Sequence, residues 1–117
     1  MKALIIDDEI DICYLLGNIL RSRDIQSEFA TSLSEALTIL QNNRPALIFL
    51  DNYLPDGRGT EFISSIKKAF PSSKVIMITA HDNNEDKERA LLKGADAFIS
   101  KPFTRDIIYQ VMDEVVA

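Results

Sequence analysis

The sequence predicts an α/β domain, a doubly wound parallel sheet of five strands, and three observations predict it. Five strand-like segments, near residues 2–6, 26–30, 46–50, 74–78 and 96–99, alternate with five helical patterns, and alternation of this kind makes a sheet parallel. Three of the segments, Leu4-Ile5-Ile6, Ala46-Leu47-Ile48-Phe49-Leu50 and Val75-Ile76-Met77-Ile78, are unbroken apolar runs, as strands covered by helices on both faces must be. The second, Gln26-Ser27-Glu28-Phe29-Ala30, is polar and so belongs at an edge. Those assignments fit the strand order 2-1-3-4-5, with the switch point between strands 1 and 3.

Each connecting segment carries its own signals. The first strand runs into Asp7-Asp8-Glu9, acids that suit the positive end of the helix that follows. In that helix Cys13 sits among Ile10, Ile12 and Leu16, which reads as a packed thiol rather than a reactive one. Ser32 with Glu35 forms a capping box for the second helix, and Asp82 with Glu85 resembles one for the fourth. Gly57 and Gly59 let the chain turn after Asp51. Gly94 suits the left-handed end of the fourth helix, and Thr104 caps a last helix over residues 104–116.

Composition sets limits. At 117 residues, 46% apolar and 26% charged, the chain is long enough for one real core, too short for two, and unlike a disordered sequence. No linker, repeat or low-complexity tract divides it, so residues 1–117 are expected to be a single domain. A net charge of −5 argues against direct binding of nucleic acid, which needs cations to neutralise phosphates. One cysteine allows no internal disulfide and fits a reducing cytoplasm. Neither a signal peptide nor a membrane span is expected, since only residues 3–6 are apolar before two acids and no apolar run approaches the necessary length.

Four strands lead straight into reactive residues: the first into Asp7-Asp8, the third into Asp51, the fourth into Thr79, and the fifth towards Lys101. Parallel strands open their carboxyl ends on one edge, so these five side chains are expected to converge. Three carboxylates brought together repel unless cations sit among them. A hard divalent cation with oxygen ligands fits, and Mg²⁺ commonly takes one or two carboxylates together with phosphate oxygens; Mn²⁺ is the alternative. An ammonium and a hydroxyl opposite such a metal can hold the oxygens of a phosphoryl group. One carboxylate is then the acceptor, and the choice falls on Asp51, which stands alone while Asp7 and Asp8 are adjacent and can share a metal.

In order, Asp7-Asp8, Asp51, Thr79-Ala80 and Lys101-Pro102-Phe103 resemble the receiver domain of bacterial two-component response regulators, of the chemotaxis-receiver kind. Leu54-Pro55-Asp56-Gly57-Arg58-Gly59 and Lys93-Gly94-Ala95-Asp96-Ala97-Phe98 extend the resemblance over essentially the whole chain. It implies a flavodoxin-like (βα)5 fold in which Asp51 takes phosphate from a histidine of a sensor kinase or phosphotransfer protein. Asp8, Asp51 and the backbone carbonyl of Tyr53 would hold Mg²⁺ directly, with Asp7 acting through a metal-bound water. Thr79 and Lys101 would bind the phosphoryl oxygens, the Lys101-Pro102 bond would be cis, and Thr79 with Phe98 would form the switch. Helix 4, strand 5 and helix 5, about residues 83–116, would then face a downstream effector, an output domain or a second copy.

Each residue also has an ordinary reading. Asp7, Asp8 and Glu9 alone could be helix caps, Asp51 a turn residue, Thr79 turn chemistry and Lys101 a solvated lysine. Pro102 sharpens the last case, because a residue before proline is held extended. Phe98 could be plain core, and it lacks the tyrosine hydroxyl that many relatives carry there. Tyr53 and His81 flank the cluster and could tune phosphoryl lifetime, although a lone histidine reads first as a solvated loop residue. A flavodoxin-like electron carrier would need a Gly/Ser/Thr-rich phosphate cradle after the first strand, where acids stand instead. A Mg²⁺-dependent phosphohydrolase would need a cap domain or substrate pocket with no counterpart here. A degenerate receiver would lack some of the five side chains, and all are present.

Overall fold

The computed structural model describes residues 1–80 and 84–116. In chain order the elements are β1 (Lys2–Ile6), α1 (Ile10–Arg21), β2 (Gln26–Ala30), α2 (Leu33–Asn42), β3 (Leu47–Leu50), β4 (Tyr53–Leu54), β5 (Gly57–Arg58), α3 (Gly59–Ala69), β6 (Lys74–Thr79), α4 (Asn84–Leu92), β7 (Ala97–Ser100) and α5 (Arg105–Val116). Five strands form one parallel sheet in the order β2-β1-β3-β6-β7, which is 2-1-3-4-5 counted over the long strands alone. The polar strand β2 lies at the edge, as expected. β4 and β5 form a small antiparallel hairpin inside the β3–α3 connection, with Tyr53 opposite Arg58.

Alternation along the strands divides the interior into two layers. Ala3, Ile5, Leu47, Phe49, Ile76 and Ile78 pack against α1 and α5, while Leu4, Ile6, Ile48, Leu50, Val75 and Met77 pack against α2, α3 and α4. All of these residues are buried, so a one-residue slip of any central strand would exchange one full layer for the other.

The helix starts are tied to loops. Ser32 Oγ accepts the Glu35 N–H at 3.2 Å, half of the expected capping box. The Asp56 carboxylate accepts the N–H groups of Leu33 and Ser34 at 2.9 and 3.0 Å, so a hairpin residue completes the cap of α2. Arg58 precedes α3 without offering a side-chain cap. Asn52 supplies one instead: its carbonyl accepts the Gly59 N–H at 2.8 Å and its Oδ1 accepts the Thr60 N–H at 3.0 Å. Thr104 Oγ1 accepts the Ile107 N–H at 3.2 Å and caps α5. Gly94, with φ of 112°, ends the turn after α4. Asp82, expected to cap α4, lies outside the described residues. Along α4 itself only Asp86 and Ala90 are buried. No helix among the described residues is long and apolar enough to cross a membrane.

Candidate functional site

Strand register assembles the site. Ile6 pairs with Leu50, and the Asp51 N–H donates to the Ile6 carbonyl at 2.9 Å, so Asp7 and Asp51 leave neighbouring strands side by side. Thr79 pairs with Ser100, and the Lys101 N–H donates to the Thr79 carbonyl at 2.9 Å, so the hydroxyl and the ammonium come from the adjacent pair β6 and β7. The Lys101-Pro102 bond is cis, as the resemblance implies.

Asp7, Asp8 and Asp51 each offer a carboxylate oxygen, all within 4.8 Å of one another. Asp7 is 3% exposed and Asp51 6%, whereas Asp8 is exposed. Lys101 reaches into this cluster, its Nζ 2.8 Å from Asp7 Oδ2, 3.4 Å from Glu9 Oε2 and 3.7 Å from Asp51 Oδ2. Thr79 is fully buried beside it. The five side chains singled out in the sequence therefore do share one end of the sheet.

The electrostatics follow from that crowding. Burial pushes the Asp51 carboxyl up to about 6, and the neighbouring Asp7 charge adds to the rise, while Lys101 and the backbone N–H groups of Tyr53 and Asn52 oppose it. Burial also raises Asp7, against the pull of its hydrogen bonds to Lys101 and to the Glu9 N–H. Lys101 is pushed down by burial, but its bond to Asp7 and the charges of Asp51, Asp7 and Glu9 win, and its pKa rises above that of a free lysine. Cys13 donates to the Asp7 carbonyl at 3.3 Å, and burial lifts its thiol to about 11, so it is inert at neutral pH. Three carboxylates lie within 3.7 Å of the Lys101 ammonium and Asp8 adjoins two of them, so among the described residues the cluster is short of positive charge. Its donor atoms are hard oxygens, and they fit Mg²⁺ or Mn²⁺.

The remaining expected residues fall around this centre. Tyr53 begins the hairpin, with its hydroxyl 3.2 Å from Asp86 Oδ2 and the Arg58 guanidinium 4.9 Å above its ring. Phe98 stands opposite Met77, half-buried against the layer that packs on α4. His81 lies outside the described residues.

Three contributors escaped the sequence reading. Glu9 entered only as a cap yet approaches Lys101. Asn52 was passed over although α3 has no capping side chain of its own; it is 1% exposed, and its Nδ2 has no hydrogen-bond partner among the described residues. The third is Asp86, whose only sequence-level signal is an acid in the first turn of α4.

Comparison with known proteins agrees with this geometry. Residues 3–113 match the family described as the response regulator receiver domain. The chain is 36% identical over 115 residues to the nitrogen assimilation regulatory protein NtrX of Azorhizobium caulinodans, covering 97% of this chain and 25% of that protein. Among solved structures it resembles a two-component response regulator from Clostridium difficile, with a TM-score of 0.94, 28% identity and coverage of 99% and 95%. It also resembles the beryllofluoride-activated NtrC4 receiver domain dimer, with a TM-score of 0.92, 33% identity and coverage of 97% and 94%. The chain spans a quarter to a half of the length of the curated relatives it matches. Neither an electron carrier nor a phosphohydrolase finds support in these matches. With the cluster at the sheet edge and a family match over nearly its full length, this chain belongs to the response regulator receiver domains.

Proposed function

We propose that Asp51 accepts a phosphoryl group from a histidine of a sensor kinase or histidine phosphotransfer protein. The transfer breaks the donor N–P bond and forms an Oδ–P bond at Asp51; the electron pair stays on the donor nitrogen, which then takes up a proton. Lys101 and Thr79 hold the phosphoryl oxygens, the first as a cation and the second as a hydroxyl donor. Asp8, Asp51 and the Tyr53 carbonyl would hold Mg²⁺, with Asp7 acting through a bound water. When bound, the metal neutralises charge on the carboxylates and on the transferring group. In this reading the domain catalyses its own phosphorylation and later the hydrolysis of its aspartyl phosphate.

The observation that carries this reading is Lys101 Nζ poised between Asp7 and Asp51, at 2.8 and 3.7 Å, beside a fully buried Thr79. A lysine so placed holds the carboxylates in the absence of phosphate and can follow a phosphoryl group once it arrives. The response travels through Thr79 and Phe98 to α4, β7 and α5. That face would meet an effector, an output domain or a second copy, within a single domain spanning residues 1–117 that works in the cytoplasm. Direct contact with nucleic acid is left to those partners. Tyr53 and His81 would tune the phosphoryl lifetime.

Intact mass after incubation with Mg²⁺ and acetyl phosphate tests the acceptor. One labile phosphoryl group is expected on the wild type and none on Asp51→Asn or in a chelated control. No addition to folded, Mg²⁺-bound wild type from acetyl phosphate or from a phosphorylated kinase would overturn it.

A further inference from the structure

The loop from Asp51 to Gly59 grips three helices, and its hold on α4 has no role in the mechanism above. Asp56 caps α2 and Asn52 caps α3, both through backbone N–H groups that any helix start must satisfy. The third contact differs in kind. The Tyr53 hydroxyl donates to Asp86 Oδ2 at 3.2 Å, and Asp86 is a carboxylate only 6% exposed on a helix that buries just one other residue, Ala90. An amphipathic helix is normally held by an apolar stripe. Here a buried carboxylate sits in the first turn, and a bond to it comes from the acceptor loop. Arg58, stacked on the Tyr53 ring from the opposite strand of the hairpin, keeps that ring in place.

We propose that Tyr53 and Asp86 form a latch through which the acceptor loop holds α4 directly, and that its release is a second route from Asp51 to the output face, separate from Thr79 and Phe98. Tyr53 is placed at both ends of the link. Its backbone follows Asp51 by two residues in the same loop, while its side chain acts on α4. Phosphorylation turns the Asp51 carboxylate into an acyl phosphate, whose charge sits on the phosphoryl oxygens, so the charge that the loop carrying Tyr53 meets is displaced. The contact therefore differs between the two states, which any ligand-driven shift requires. A helix with so little buried apolar surface is also the element such a shift moves most readily.

The second half of the proposal rests on Asp51 being the acceptor; the first half does not. Amide hydrogen exchange across residues 84–92 would be followed in unmodified wild type, Tyr53→Phe, Asp86→Ala and the double variant. Each single variant is expected to exchange about tenfold faster over α4, the scale of one lost bond to an ionised group. The double variant should go no further, and α1 and α5 should be unchanged. Wild-type exchange in Tyr53→Phe, or effects that add in the double variant, would overturn the latch. Tyr53→Phe decides alone if Asp86→Ala fails to fold, since it keeps the ring and the backbone. In a second arm acetyl phosphate and Mg²⁺ are added, and intact mass confirms modification independently. Exchange over α4 should then rise in the wild type and change little in Tyr53→Phe. Equal rises in both, or none in a phosphorylated wild type, would overturn the route while leaving the acceptor assignment intact.

Discussion

Lys101 and Asp7 stand 94 positions apart in the chain, yet the Lys101 Nζ lies 2.8 Å from Asp7 Oδ2, with both side chains at least nine-tenths buried. Breaking such a pair from one side leaves carboxylates buried without their cation. Lys101→Ala should keep the fold but lose about 3–5 kcal/mol of stability in chelator, measured by urea unfolding. It should also disconnect phosphorylation from Phe98, whose ring resonances would stop responding to acetyl phosphate. Wild-type stability together with a wild-type response at Phe98 would contradict the role given to Lys101.

A cation that joins Asp7, Asp8 and Asp51 binds the folded chain and not the unfolded one. Mg²⁺ at a hundredfold over its Kd should therefore add about 2.7 kcal/mol to apparent stability. The gain should shrink as pH falls through about 6, where Asp51 takes up a proton and competes with the metal. A melting curve that ignores saturating Mg²⁺ at pH 7.5 would count against the cluster as a metal site.

Asp51 also makes a prediction without metal. Its folded pKa, about 6, lies above the ordinary carboxylate value, so the folded chain holds its proton more tightly than the unfolded one. The stability this brings is complete below about pH 4 and is lost as pH rises through 6. In chelator, Asp51→Asn should then be more stable than the wild type by about 2–3 kcal/mol at pH 7.5, with the gap closing towards pH 4. A gap that widens in acid would reverse the sign.

The sheet and its five converging side chains were legible because both are written locally. Apolar runs marked β1, β3 and β6, polarity marked β2 as the edge, and each reactive residue stood at a strand end, where topology alone determines the meeting place. What stayed hidden depends on pairs remote in sequence. Asp56 reads as a turn residue until α2 arrives 22 and 23 positions away to share its carboxylate. Asn52 looks like the end of a strand until the start of α3 folds back on it. Tyr53 meets Asp86 across 33 positions, with no periodicity to announce it. The hairpin β4–β5 was missed because two residues per strand are too few for any alternation to show.

Gly59 was expected only to ease a turn, but its lack of a side chain has a sharper purpose. A Cβ at this position would run into the backbone carbonyl oxygen of Asp51 and press on Asn52 Cα and Leu50 Cγ. Backbone cannot rotate away as a side chain can, so Gly59→Ala must push the acceptor loop off the start of α3. Overpacking of this kind should cost about 1–3 kcal/mol in urea unfolding. Because Asp51 itself moves, Mg²⁺ affinity should fall as well, by about tenfold, as when a group that orients a metal ligand is lost. A variant that loses stability while binding Mg²⁺ as tightly as the wild type would show that the site tolerates the shift, and that Gly59 serves packing alone.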